Sequence, residues 1–373
     1  MPAPKKLIKE IKSVKELLNE GNVLLNLTIQ DLDFKKEKLD WANIKLANTT
    51  FLGCDMDDET ESILRQKGAI IYPKVVGLPY NPYRKSLYTW EELIQGNDME
   101  SGEILDTKIY NHFVSFKNSG DINEALCERI HDHAIDDAIY DIIGIGEDGM
   151  TKKKCVGIMG GHSVLRDDPA YEKVAMVSKK LAGKGYLILS GGGPGIMEAA
   201  NLGAYLAGKT DAQLTEAIEI LKVAPRYQDE NYIVQSKKVI DMYPTGVENI
   251  AIPTWFYGHE PLNIFATSIA KYFSNAIRED VLLAVALHGI IYGPGSAGTV
   301  QEIFTDAAQD HYSSFGWVSP MIFFGKKFWS EDCKVYELVS DLSKGLKYHD
   351  MLAISDDTDE VVKFIEDHPP VKG

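Results

Sequence analysis

The sequence predicts an α/β fold: a Rossmann-like parallel sheet with helices on both faces, preceded by a smaller N-terminal α+β domain. Three observations lead there. A chain of 373 residues is too long for one ordinary core, which sets two domains as the starting expectation. From Cys155 onward, short apolar runs rich in β-branched residues alternate with segments of helical period, the signature of a parallel sheet. The glycine-rich loops of this half all follow strands, at the carboxyl ends where such sheets bind ligands.

Element by element, CVGIMGG (155–161) is a strand ending in glycines, and residues 169–182 form a helix. YLILSGGG (186–193) is a second strand ending in glycines, followed by helices over 195–206 and 211–221. NIAIPTWFYG (249–258) is a third strand, with a long helix from Pro261 to Arg278 and beyond. HGIIYG (288–293) is a fourth strand. The loop PGSAGTVQE (294–302) leads from it into a helix over 300–312, where Val300, Ile303, Phe304, Ala307 and Ala308 repeat at helical spacing. VSPMIFFG (318–325) and MLAISD (351–356) are the last strands, each followed by a helix, over 333–345 and 360–367. Residues 151–373 are thus the Rossmann-like domain, and residues 1–150 an accessory or regulatory one.

That N-terminal half is less regular. Leu7, Ile8, Ile11, Val14, Leu17 and Leu18 make one face of an amphipathic helix. ANIKL-ANTTF (42–51) is a tandem five-residue echo, and two copies are too few for a self-supporting solenoid. The proline- and tyrosine-dense stretch 76–93 is a packed loop entering a helix.

Composition narrows the function. A formal net charge of −16 opposes non-specific binding to nucleic acid or to an anionic membrane, while a helix N-terminus and one arginine still suffice for a small anion. Cys54, Cys127, Cys155 and Cys333 lie far apart without metal-type spacing, as isolated thiols do in a reducing compartment. Lysines run through the apolar positions of the N-terminus, so it is no secretory signal. Residues 281–301 lack Asp, Glu, Lys and Arg, but five Gly and Pro residues interrupt them, which excludes a membrane span. A cytoplasmic protein is expected.

Several motifs compete for the chemistry. GIGEDG (144–149) matches a dinucleotide fingerprint, but no helix opens on its third glycine, so it is a linker turn. His131 and His133 stand two apart, where helical neighbours do not face one another. A solvated polar face is expected there, and no metal site elsewhere. SGGGPGIMEAANLGA (190–204) brings Gly191, Gly192, Gly193 and Gly195 between a strand and a helix, with Glu198 in the first helical turn. GGHS (160–163) adds Gly161, His162 and Ser163 on the same side of the sheet. In the loop 294–302, Gly295, Ser296, Gly298 and Thr299 form an anion cradle at a helix N-terminus. Its carboxylate, Glu302, fits two roles equally: a catalytic acid, or the closing member of a Thr299–Glu302 capping box. Arg278, taken alone, is a surface charge.

Together these segments resemble the LOG (Lonely Guy) family of nucleoside 5′-monophosphate phosphoribohydrolases, also labelled lysine decarboxylase-like. The counterparts are GGGPGIME (191–198), Arg278 and PGSAGTVQE (294–302), over roughly residues 154–367. GPGIMEAANLGA, EPLN (260–263) and HGIIYGPG are similar to the longer bacterial purine/pyrimidine nucleotide nucleosidases. The resemblance implies hydrolysis of the N-glycosidic bond of a nucleoside monophosphate, AMP or another purine nucleotide by preference, to free base and ribose 5-phosphate. It implies Arg278 and Glu302 as catalytic residues, the glycine loops as holders of phosphate and ribose, no metal or organic cofactor, and at least a homodimer. Two departures stand out: Ser296 replaces the second glycine of the family's PGG, and Glu279 replaces the lysine of its Arg-Lys pair. A non-catalytic nucleotide or sugar-phosphate sensor would use the same cradle, and transfer of the ribosyl group to an acceptor other than water is a third possibility.

Overall fold

A computed structural model describes residues 6–37, 39–95, 104–258 and 261–373. The first five residues of the N-terminal stretch and Glu260 of EPLN lie outside the described residues. Two compact units divide the chain: residues 1–86 with 111–138, and residues 87–110 with 139–373. The segments 87–110 and 139–150 therefore group with the C-terminal half.

The first unit contains β1 (Lys6–Ile8), α1 (Ile11–Gly21), β2 (Val23–Leu25), β3 (Leu27–Gln30), β4 (Lys45–Ala47), β5 (Thr50–Leu52), α2 (Asp58–Gln66) and β6 (Ile70–Tyr72). β1, β3, β5 and β6 form a parallel sheet in that order, and β2 pairs with β4. Leu27 pairs with Lys6, Thr50 with Thr28 and Ile70 with Thr50, so each strand returns after twenty to twenty-two residues. The unit is a short parallel coil of that period, and the five-residue echo merely straddles the corner between β4 and β5. Asn26 and Asn48 turn corresponding corners with φ of 55° and 48°, left-handed values that Asn tolerates. Asn48 Nδ2 donates to Asn26 Oδ1 at 2.8 Å, tying one coil to the next. The core inside is Leu24, Ile29, Phe34, Trp41, Phe51 and Leu64.

Two expectations for this unit need correction. Lys6–Ile8 are strand rather than helix, because their backbone pairs with β3, and the helix begins only at Ile11. His131 is not on a solvated face. It is fully buried edge-on to the Tyr80 ring, with Nδ1 3.3 Å from Asp132 Oδ1, and burial pushes its pKa down. His133 is the exposed member of the pair.

After α3 (Trp90–Ile94), α4 (Leu105–Phe116) and α5 (Ile122–Ile143), the second unit alternates strands and helices. Its elements are β7 (Cys155–Met159), α6 (Pro169–Gly183), β8 (Leu187–Ser190), α7 (Ile196–Tyr205), α8 (Asp211–Leu221), α9 (Tyr232–Met242), β9 (Asn249–Ala251), β10 (Ser268–Ile269), α10 (Asn275–Val285), β11 (Ile290–Tyr292), α11 (Ala297–His311), β12 (Trp317–Val318), β13 (Met321–Phe324), α12 (Val335–Ser343), β14 (Leu352–Ser355), α13 (Thr358–Asp367) and β15 (Val371–Lys372). Seven strands form one parallel sheet in the order β10-β9-β8-β7-β11-β13-β14, flanked by helices. The chain runs from β7 outward to one edge, then returns to β11 and runs to the other. The crevice beyond the ends of β7 and β11 is thus a topological switch point, the usual ligand position in such sheets.

The helix expected from Pro261 to Arg278 is absent. Leu262, Ile264, Phe265, Ala266, Ile269, Ala270 and Phe273 are all buried, so they leave no polar face for a surface helix. Ser268–Ile269 instead pairs with β9 at the sheet edge, and Thr267 exchanges two hydrogen bonds with the Asn249 backbone. The helix starts at Asn275, which puts Arg278 in its first turn. α9 has no counterpart in the sequence reading. GIGEDG is a turn closed by the bond from Gly146 N to Met150 O at 2.8 Å, with no helix after it. No helix among the described residues is long and apolar enough to cross a membrane.

α11 buries two acids one turn apart. Asp306 accepts from the Tyr292 hydroxyl at 2.7 Å, and Asp310 accepts from the Ser319 backbone at 3.1 Å while its Oδ2 has no partner. Burial raises both carboxyls well above the usual range, and Asp306 raises Asp310 further. The folded state therefore binds more protons than the unfolded chain once pH exceeds about 4, so stability falls as pH rises to about 9. Asp310→Asn should flatten that decline and raise the Tm at pH 9 relative to the parent, as read by calorimetry across pH. An unchanged slope would mean the pair does not drive it.

Candidate functional site

Three loops converge at the switch point: 160–163 after β7, 191–195 after β8 and 293–296 after β11. Close backbone contact holds them together. Gly161 N donates to Pro294 O at 2.8 Å, and Ile196 N donates to Gly161 O at 3.2 Å. Gly195 opens α7 with φ of 72°, and a Cβ there would lie 2.4 Å from Gly161 O. Only glycine meets both conditions. Of the loop residues, His162, Ser163, Ser296 and Gly298 are exposed, whereas Gly161, Gly191, Gly192, Gly193, Gly195 and Thr299 are buried. Gly295 is half-buried.

Arg278 reaches this junction from α10 and is buried, not a surface charge. Its Nε donates to Ile252 O at 2.8 Å and its Nη1 to Glu302 Oε1 at 3.0 Å. Gly191 leaves the room: a Cβ there would sit 2.5 Å from Arg278 Nη2. Both members of the ion pair are 8% exposed in their side chains. Burial raises the Glu302 carboxyl, Arg278 pulls it down and Glu279 pushes it up again. Glu279 is itself buried and held by Asn275 Nδ2 at 2.7 Å and Gln301 Nε2 at 2.6 Å.

The capping-box reading of Glu302 fails on geometry. α11 begins at Ala297, three residues earlier than expected, with Ser296 as its N-cap and no side-chain cap bond. Thr299 is therefore inside the helix, and Glu302 sits at its sixth position facing Arg278. No sequence spacing contained that fact, because it depends on where the β11 loop ends.

Glu198 is placed apart from this pair. Both of its oxygens accept from Arg166, at 2.8 and 2.5 Å, and the Tyr171 hydroxyl adds a third bond at 2.8 Å. Arg166 also donates to Ala224 O, Tyr232 O and Ser236 Oγ, and its guanidinium stacks 3.4 Å from the Tyr232 ring centre. Burial disfavours its charge, yet Glu198 holds it above the ordinary arginine value. The sequence reading missed Arg166, whose only signal was a charged residue shortly after the GGHS loop.

Next to this network lies a cavity of about 190 Å³, bordered by His162–Arg166, Pro194–Gly195, Pro225–Gln228 and Tyr232. It is lined by two of the three loops but not by Arg278 or Glu302. Among the described residues, no group of three His, Cys, Asp or Glu side chains is arranged to hold a metal ion.

Residues 153–211, spanning β7 to the start of α8, match the SLOG cluster4 family. No curated protein matches the chain. Similar solved structures include the molybdenum cofactor binding protein from Rippkaea orientalis, 16% identical over 58% of this chain and 96% of that one, with a TM-score of 0.37. The Moco carrier protein from Chlamydomonas reinhardtii is 14% identical over 58% and 96%, with a TM-score of 0.35. DNA processing protein A from Streptococcus pneumoniae is 12% identical over 73% and 91%, with a TM-score of 0.32.

Proposed function

We propose that the C-terminal unit, whose residues 153–211 match the SLOG cluster4 family, hydrolyses the N-glycosidic bond of a nucleoside 5′-monophosphate, with AMP or another purine nucleotide preferred. The observation that carries this reading is the Arg278–Glu302 pair, buried where the three loops meet. The substrate phosphate sits at the N-terminus of α11, over Ser296–Thr299, where unpaired N–H groups and the helix dipole attract it. Ribose then lies over Glu302. Cleavage builds oxocarbenium character on the sugar, which a fixed carboxylate in a water-poor site stabilises. The same carboxylate orients the attacking water, while Arg278 binds phosphate or assists the departing base. The active form is a homo-oligomer in this reading.

The test is incubation with a panel of nucleoside monophosphates, measuring free base and ribose 5-phosphate. No release from any of them, with binding intact, overturns the hydrolase. That outcome would favour the second reading, a non-catalytic nucleotide or sugar-phosphate binder. One observation favours it already: the cavity beside the loops does not reach Arg278 or Glu302. Gly191→Ala gives a further check. Its methyl group displaces the Arg278 guanidinium, and misplacement on that scale lowers kcat/KM by about 10- to 100-fold. Activity equal to the parent's would remove Arg278 from the chemistry.

A further inference from the structure

We propose that the cavity between His162–Arg166 and Pro225–Gln228 is a second phosphoryl site with Arg226 as its cation, so that the preferred ligand carries two phosphoryl groups. This takes from the function proposed above the position of the first phosphate, and widens the ligand from a nucleoside monophosphate to one with a second phosphoryl group.

The lining carries the argument. It includes two arginines, a histidine, a serine and a glutamine, and no aspartate or glutamate. That is a pointed exclusion in a chain with 55 acidic residues against 39 basic ones. The two arginines play different parts. Arg166 spends its donors on Glu198, Ala224 O, Tyr232 O and Ser236, and its backbone N–H binds Pro225 O at 3.2 Å. It is a strut, fixing both ends of the segment that carries Pro225–Gln228. Arg226 is exposed, and its guanidinium has no carboxylate partner among the described residues. Its backbone is nonetheless held, since its N–H donates to Asp229 Oδ2 at 2.8 Å and its carbonyl accepts from Asp229 N at 2.9 Å. Arg226 thus stands on a braced turn and lines the same cavity as the Ser163 hydroxyl and the His162 imidazole.

Size and position then define the ligand. A volume of about 190 Å³ is below the roughly 300–1,000 Å³ of sites that enclose whole small molecules, so it takes one part of a ligand. The His162–Ser163 rim adjoins the α11 cradle. A Cβ on Gly161 would lie 3.2 Å from Gly295 Cα and 3.7 Å from Ser163 Oγ. One phosphate over Ser296–Thr299 therefore has a second anion position beside it, reached past Ser163. A guanidinium with neighbouring O–H and N–H donors matches the oxygens of a phosphoryl group.

Calorimetric titration of the full chain with AMP and ADP tests this, with Arg226→Gln as the variant. ADP should bind at least about tenfold tighter than AMP, and Arg226→Gln should erase that advantage by weakening ADP. Equal affinities in the parent protein, or an ADP advantage kept in Arg226→Gln, would overturn the proposal. Equal weakening of both nucleotides would also overturn it, by placing the single phosphate of AMP at Arg226. Should neither nucleotide bind, inorganic diphosphate decides: binding weakened tenfold by Arg226→Gln keeps the site, and binding indifferent to it does not. Base release from AMP by the parent protein tests the hydrolase reading separately, so the two fail independently.

Discussion

Glu302→Gln should lower kcat/KM for base release by about 10³-fold while nucleotide binding persists. Removing one preorganised electrostatic partner of a transition state typically costs about 10²- to 10³-fold, and here the lost charge faces the developing cation directly. Glutamine is the informative replacement. It keeps an oxygen for Arg278 Nη1, which donates to Glu302 at 3.0 Å, and removes only the charge. Glu302→Ala would instead leave Arg278 buried without its counter-charge, a change that costs about 3–5 kcal/mol, and lost activity would then report lost structure. Burial raises the Glu302 carboxyl above its ordinary 4.5, so the acid limb of the parent's pH–rate profile should also lie above 4.5. Full activity in Glu302→Gln, with a lowered Tm, would reduce Glu302 to a structural partner of Arg278.

Arg166→Leu should destabilise the second unit by about 3–5 kcal/mol, because it strands the Glu198 carboxylate in a dry site. Arg166 is 1% exposed and Glu198 3%, so water cannot replace the lost bonds without opening the fold. The double variant Arg166→Leu/Glu198→Leu should recover much of the loss, since an apolar pair leaves no buried charge behind. Denaturant unfolding of the parent, both single variants and the double variant reads this as a coupling energy. A cost below about 1 kcal/mol for Arg166→Leu would mean that water reaches Glu198. Because Arg166 also holds Ala224 and Tyr232, the single variant should slacken the Pro225–Gln228 wall even where it remains folded.

The two acids at the site, Glu198 and Glu302, show what kind of information a sequence carries. Each stands in the first turns of a helix after a glycine loop, and linear spacing gives them equal standing. In the fold, Glu198 turns to Arg166, thirty-two residues earlier, and Glu302 to Arg278, twenty-four residues earlier. Those partnerships depend on how the loop after β7 meets α7, and how α10 meets α11, across the sheet. The loop glycines were easier to recognise, because their requirement is local: Gly195 has a positive φ and lies against the Gly161 carbonyl. The segment 261–274 misled for the opposite reason. Its apolar residues fall at helical intervals, yet burial on every side and pairing with β9 make it extended.

By itself, the sequence determined the parallel α/β order and the three glycine loops at strand ends. These follow from periodicity and backbone freedom, which act over a few residues. Only the tertiary structure decided that α11 starts at Ala297, that Glu302 therefore faces Arg278 instead of capping a helix, and that Glu198 serves Arg166. It alone gathered Arg226, His162 and Ser163 around one cavity. The physical reason is the same in each case. A buried charge takes its role from the counter-charge and the desolvation that surround it, and residues distant in the chain supply both.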